Sequence, residues 1–149
     1  RSKHKMTIDE HPARKAALLS REYVQTKNRE AWLDLYADDA IIEDPIGTSH
    51  IDPEGRGHRG KAAREAFWDN FIAPADILIN IKESYAAGNE VANHVELTIT
   101  IPADAKKALQ QKVFGIFTYA VDDRGKLLSL RGFWETEDPK NSLAEIDLV

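Results

Sequence analysis

Leu35-Tyr36-Ala37-Asp38-Asp39-Ala40-Ile41-Ile42-Glu43-Asp44-Pro45-Ile46-Gly47 joins the end of an amphipathic helix to a short strand and stops at a proline. Side chains alternate along a strand, so Ile42 and Asp44 share one face and Ile41 and Glu43 the other. With Ile42 turned inward, Asp44 is aimed into apolar surroundings at the strand's end. Pro45 has no N–H to give to a ladder, so the strand should end there and leave Asp44 near a pocket mouth. A buried carboxylate must be paired or protonated to be tolerated. The alternative is a surface aspartate opening a turn, a common use of Asp-Pro. This stretch alone leaves both readings open.

Upstream, residues 11 to 27 predict a helix with Pro12 near its start. Ala13, Ala16, Ala17, Ser20, Tyr23 and Val24 fall on one stripe, with Arg14, Lys15, Arg21 and Glu22 turned away. Asn28 caps a second helix, Arg29 to Tyr36, which buries Trp32, Leu33 and Tyr36. Downstream, residues 47 to 60 hold four glycines and a proline and read as a loop. A third helix, Lys61 to Ile72, buries Ala63, Ala66, Phe67 and Phe71, and Pro74 ends it.

After Pro74 the period changes to two. Ile77, Ile79 and Ile81 alternate with Leu78, Asn80 and Lys82. From Val91 to Ile101, Val95, Leu97, Ile99 and Ile101 take one face and His94, Glu96, Thr98 and Thr100 the other. Val113 to Val121 forms a long strand, Asp122-Asp123-Arg124-Gly125 a hairpin turn, and Lys126 to Glu135 pairs back. Helices followed by consecutive antiparallel strands define an α+β domain with helices over one sheet face. Arg1 to Lys5 precede Met6 and read as an expression remnant. Residues 6–138 form the single domain, and 139–149 a polar, poorly ordered tail.

The chain has 149 residues, 42% hydrophobic and 30% charged, which suits one compact domain. A net charge of -5 argues against a nucleic-acid partner. No apolar run has membrane-spanning length and no secretory signal is visible, so the expected location is cytoplasmic. The absence of cysteine excludes disulfides, thiolate chemistry and Cys-based zinc sites.

Trp32 to Gly47, Gly60 to Phe71 and Gly125-Lys126-Leu127-Leu128-Ser129-Leu130-Arg131 together resemble the SnoaL-like branch of the nuclear transport factor 2-like superfamily, and in particular its ketosteroid isomerases. The resemblance runs from about His11 to Glu135, and Glu43-Asp44-Pro45-Ile46-Gly47 is its most specific part. It implies a cystatin-like α+β fold: a cone-shaped, curved, mostly antiparallel sheet wrapped by three helices around a deep apolar pocket. It further implies a homodimer through the outer sheet face. In the isomerases the aspartate of this motif is the general base that moves a proton between two carbons of a steroid enone; Asp44 matches it. Two donors, a tyrosine and a protonated aspartic acid, hold the dienolate oxygen there.

This chain departs from that pattern. The acid's position falls on Phe117, which cannot donate. The tyrosine's position falls on Ser20, with Tyr23 one helical turn later on nearly the same face. Trp68 and Tyr36 match supporting aromatic positions, and Trp134 an aromatic that lines the pocket. Asp44 is thus the expected base and Tyr23 the expected donor. Phe67, Trp68, Val95, Leu97, Phe117, Leu130 and Trp134 are the expected walls, and Ser20 and Tyr36 further ligand contacts. No cofactor or metal is implied.

The expected function is weak isomerisation of a flat, apolar, steroid-like ketone. One alternative is a non-catalytic carrier of such a ligand, favoured by Phe117. Another is a polyketide-type cyclase or dehydratase using Asp44 with His50 or His94. Gly55 to Lys61 has phosphate-loop spacing, but Ala62 stands where a magnesium-holding hydroxyl belongs and no apolar parallel strand precedes it. It reads as a solvated loop over the cone mouth, with His50 and His58 as surface histidines. His94 and Glu96 share the polar strand face and suit a dimer contact or solvent. Arg131 reads as structural, paired with an acid across strands.

Overall fold

The computed structural model describes residues 10–148; the Arg1–Lys5 stretch, read above as an expression remnant, lies outside them. Helix α1 spans Pro12–Gln25, with the His11 ring accepting from the Ala13 amide at 3.2 Å. Its buried side chains are Ala13, Ala16, Ala17, Ser20 and Val24. Four of these five are small or carry a single hydroxyl, so the helix axis can lie close to the sheet. After α1 the chain turns through Lys27 at φ 60°. The Lys27 ammonium then donates to the Ile72 carbonyl at 2.7 Å and to the Ala75 carbonyl.

Helix α2 is Arg29–Asp34, capped by the Asn28 side chain, which accepts from the Ala31 amide at 3.3 Å. It ends earlier than the expected Tyr36, because that residue already belongs to strand β1, Tyr36–Glu43. Helix α3, Gly60–Phe67, continues as a π-helical turn over Trp68–Ile72. There the Ala73 amide donates to the Trp68 carbonyl, five residues back, at 2.8 Å. The expected single helix buried Ala66, but Ala66 is exposed and Arg64 is buried instead. The Arg64 guanidinium lies 5.5 Å from the centre of the Tyr36 ring. Its stem covers apolar surface while its head reaches backbone carbonyls, so a charged residue can replace an alanine on the inner face.

The remaining strands are β2 (His58–Arg59), β3 (Asp76–Ala87), β4 (Glu90–Pro102), β5 (Lys107–Val121), β6 (Leu127–Phe133) and β7 (Leu143–Asp147). They form one curved seven-stranded sheet in the order β2-β1-β6-β5-β4-β3, with β7 also beside β5. The β1–β6 pair is parallel and the others antiparallel. The fold is therefore α+β, an open sheet with three helices across its inner face.

The segment after Asp138 corrects one expectation. It is polar, but it forms a 3-10 turn over Pro139–Asn141 and then β7, which pairs with Lys107 to Gln111 of β5. Asn141 is buried and holds the junction: its side chain accepts from the Phe114 amide at 3.0 Å and donates to the Glu135 carbonyl at 2.9 Å.

Candidate active site

The inner face of the sheet and the helices enclose an apolar cavity of about 220 Å³. Its walls follow from strand parity. Ile77, Ile79 and Ile81 of β3, Val95, Leu97 and Ile99 of β4, and Val113 and Phe117 of β5 all face inward. The loop after β1 brings Pro45, Ser49 and His50 to the rim.

Asp44 follows directly on β1 and lines this cavity, while Ile42 on the same face is wholly buried in the core. The Trp134 indole N–H donates to Asp44 Oδ1 at 2.9 Å. Burial pushes the carboxyl above its ordinary value, and the indole hydrogen bond draws it part of the way back. Two glycines make room for this arrangement. A Cβ on Gly132 would lie 2.8 Å from the Phe117 ring edge and 3.1 Å from Asp44 Oδ1. One on Gly115 would lie 2.4 Å from the Phe133 carbonyl oxygen and 2.8 Å from Trp134 Cβ. On the opposite face Arg131 Nε donates to Glu43 Oε1 at 2.9 Å, across the parallel pair that places Glu43 beside Arg131. That ion pair fixes the strand end from which Asp44 projects.

A second polar group sits deeper. Trp32 Nε1 donates to Ser20 Oγ at 3.3 Å. Ser20 stands beside the phenols of both Tyr36 and Tyr119, and its hydroxyl opposes the strong upward shift that burial imposes on them. Asp44 adds to that upward shift in both.

Of the residues read from sequence, Asp44, Ser20, Phe67, Val95, Leu97, Phe117, Leu130 and Trp134 meet at the cavity. Tyr23, Tyr36 and Trp68 do not line it. Tyr23 is half-buried against the core at the flank of α1. Tyr36 is in the core behind the wall, and Trp68 packs 5.3 Å from Trp32. His50 lines the mouth, whereas His58 packs edge-on to Phe67 at 5.0 Å and is half-buried rather than on the surface. His94 lies on the outer face, 3.5 Å from Glu83, and Glu96 lies between Lys82 and Lys112. Neither reaches Asp44. Sequence reading missed Tyr119 and Asn93, both cavity residues. The parity of their strands was the available signal: Tyr119 shares a face with Phe117, and Asn93 interrupts the inward apolar run from Val91.

An open cone with a carboxylate held by an indole in an apolar pocket defines a class of small-molecule site. The chain belongs to the SnoaL-like domain family of the nuclear transport factor 2-like superfamily, whose model matches residues 19–129. It is 32% identical over 104 residues to the steroid Δ-isomerase of Nocardioides simplex, covering 70% of this chain and 74% of the relative. The Δ5-3-ketosteroid isomerase from Mycobacterium sp. superposes with a TM-score of 0.80 at 36% identity, covering 91% of this chain and 99% of that one. A Mycobacterium tuberculosis protein in complex with estradiol-17β-hemisuccinate superposes with a TM-score of 0.79, also at 36% identity, covering 85% and 96%.

Proposed function

We propose that the protein is a steroid Δ-isomerase-like enzyme in which Asp44 is the general base. The observation that carries this reading is the position of Asp44: an acceptor-only side chain in an apolar cavity, oriented by Trp134 and with its carboxyl held above the ordinary range. A base works best when its pKa approaches that of the medium, and the cavity moves Asp44 in that direction. The carboxylate takes a proton from the carbon between the ketone and the double bond, the charge moves to the ketone oxygen, and the proton returns to the far carbon. The oxygen needs preorganised donors. Tyr23 was the expected donor. Tyr119 is better placed for that role, because it lines the cavity and is near enough to Asp44 to feel its charge.

Steady-state turnover of a β,γ-unsaturated 3-ketosteroid tests the reading. Wild type should turn over slowly, and Asp44→Asn should reduce the rate by about 10² to 10⁴. The rate should rise with pH through the Asp44 pKa and then level off, since only the ionised form accepts a proton. Phe117 supports a second reading, a carrier of a steroid-like ligand: it places a ring where the isomerases have an acid. Tight steroid binding without turnover in either protein would favour that carrier.

A further inference from the structure

Asn93 is 1% exposed, lines the apolar cavity, and its Oδ1 has no hydrogen-bond partner among the described residues. Its position is set by register. Asn93 of β4 pairs with Phe117 of β5, and Phe117 pairs with Gly132 of β6. The three form a row across the sheet, and Asp44 Oδ1 lies over Gly132. Neighbouring strands are about 4.8 Å apart, so the Asn93 and Gly132 backbones are about 10 Å apart, with the Phe117 backbone between them. The row thus carries a carboxylate over its Gly132 end and an amide at its Asn93 end.

A buried amide oxygen left unpaired is rare, because its lost hydration is not replaced. A valine or leucine would fill this place without that penalty, as Val91, Val95 and Leu97 do on the same face of the strand. The amide therefore fits a partner brought by the ligand. It offers an acceptor and two donors, and which of them faces the cavity is set by a rotation of the amide. An oxygen suits either orientation: a hydroxyl can donate to Oδ1 or accept from Nδ2, and a keto oxygen can accept from Nδ2.

We propose that Asn93 is the specificity-determining residue of the cavity, binding an oxygen substituent of a flat polycyclic ligand on the far side of Phe117 from Asp44. This deepens the isomerase-like reading and rests on it only for the ligand's flat, apolar shape. Sites built to bond a ligand oxygen reject the analogue lacking it, because their own polar group is then left unpaired.

The test compares 2-hydroxyphenanthrene with phenanthrene, which differ by one oxygen, by equilibrium dialysis. Wild type should bind the hydroxy compound tighter by about tenfold or more. Asn93→Leu should bring the two affinities within about threefold, mainly by weakening the hydroxy compound. Tyr119→Phe and Asp44→Asn report whether the hydroxyl is held at the isomerase-like end of the cavity instead. Circular dichroism and a thermal melt establish that each variant is folded, and Asn93→Ala gives the same ratio if the leucine variant is not. No preference in wild type, or one that survives loss of the Asn93 amide, overturns the proposal. So does a preference lost in the Tyr119 or Asp44 variant and kept in Asn93→Leu. Failure of the isomerase reading would instead appear as absent turnover with the binding ratio intact.

Discussion

Asp44 is the residue on which pH should act most directly. Burial holds its folded pKa above the unfolded value, so between the two the native state binds more protons than the unfolded chain. Stability is then greatest below the unfolded value and falls as pH rises through the folded one. Asn is isosteric and keeps an acceptor for Trp134, so Asp44→Asn should melt higher than wild type at pH 7. The gain should fade as pH falls to the ordinary Asp range of about 3.9. Calorimetry at both pH values checks this, and a lower melting temperature at pH 7 would reveal a stabilising contact to the carboxylate. Gly132→Ala should lose about 1 to 3 kcal/mol, because the new methyl meets the Phe117 ring and Asp44 together; urea denaturation measures it. Phe117→Asp should raise isomerase turnover by restoring a neutral acid as donor, while lowering stability by about 3 to 5 kcal/mol. Asp44 was legible because one apolar neighbour on its own face sufficed to orient it. Tyr23 was not, because three residues advance a helix by 300°. Its side chain therefore moves from the buried line of Ser20 to the flank of α1. Asn93 was passed over because a single polar residue within an inward apolar run adds nothing to the period-two signal.

At the scale of elements, one side chain ties the segment leading into β7 to the sheet. Asn141 joins the end of β6 to the middle of β5 through its amide, and its carbonyl accepts from Gln111 Nε2 at 2.7 Å. Asn141→Ala leaves the Phe114 amide and the Glu135 carbonyl, both in part-buried hydrogen bonds, without that partner, so it should cost about 1 to 3 kcal/mol in all. Hydrogen exchange should quicken at Phe114 and along Leu143–Asp147, with the strands around Asp44 unchanged. This junction was hard to foresee. Four of the five residues of β7 are exposed, so no alternation marks it, and an asparagine closing a 3-10 turn resembles any turn asparagine. The π-helical turn was equally hidden, since Lys61 to Ile72 carries an ordinary helical pattern. The breadth of β3, β4 and β5, in contrast, was plain from the change to a period of two.

For the whole molecule, the outer sheet face is the open question. Ile116 is 40% exposed and Phe133 49%, and they are paired across β5 and β6. The helices cover the other face, so an apolar patch remains that a second copy would cover. A homodimer is the expected outcome in light scattering at micromolar concentration. Ile116→Lys with Phe133→Asp should yield a monomer with its dissociation constant raised by about 100-fold or more and its melting curve little changed in shape. The order of helices and strands in the sequence indicated the α+β class. It did not indicate that β1 runs parallel to β6, because that contact joins distant parts of the chain. The Glu43–Arg131 bond spans 88 positions. During synthesis, then, the segment bearing Asp44 leaves the ribosome long before the strand that borders it. Until Arg131 has emerged, Ile41 and Ile42 have one edge unpaired and no Trp134 beside the carboxylate. The nascent chain must hold this apolar stretch in reserve, and a chaperone has that interval in which to act on residues that later form the site.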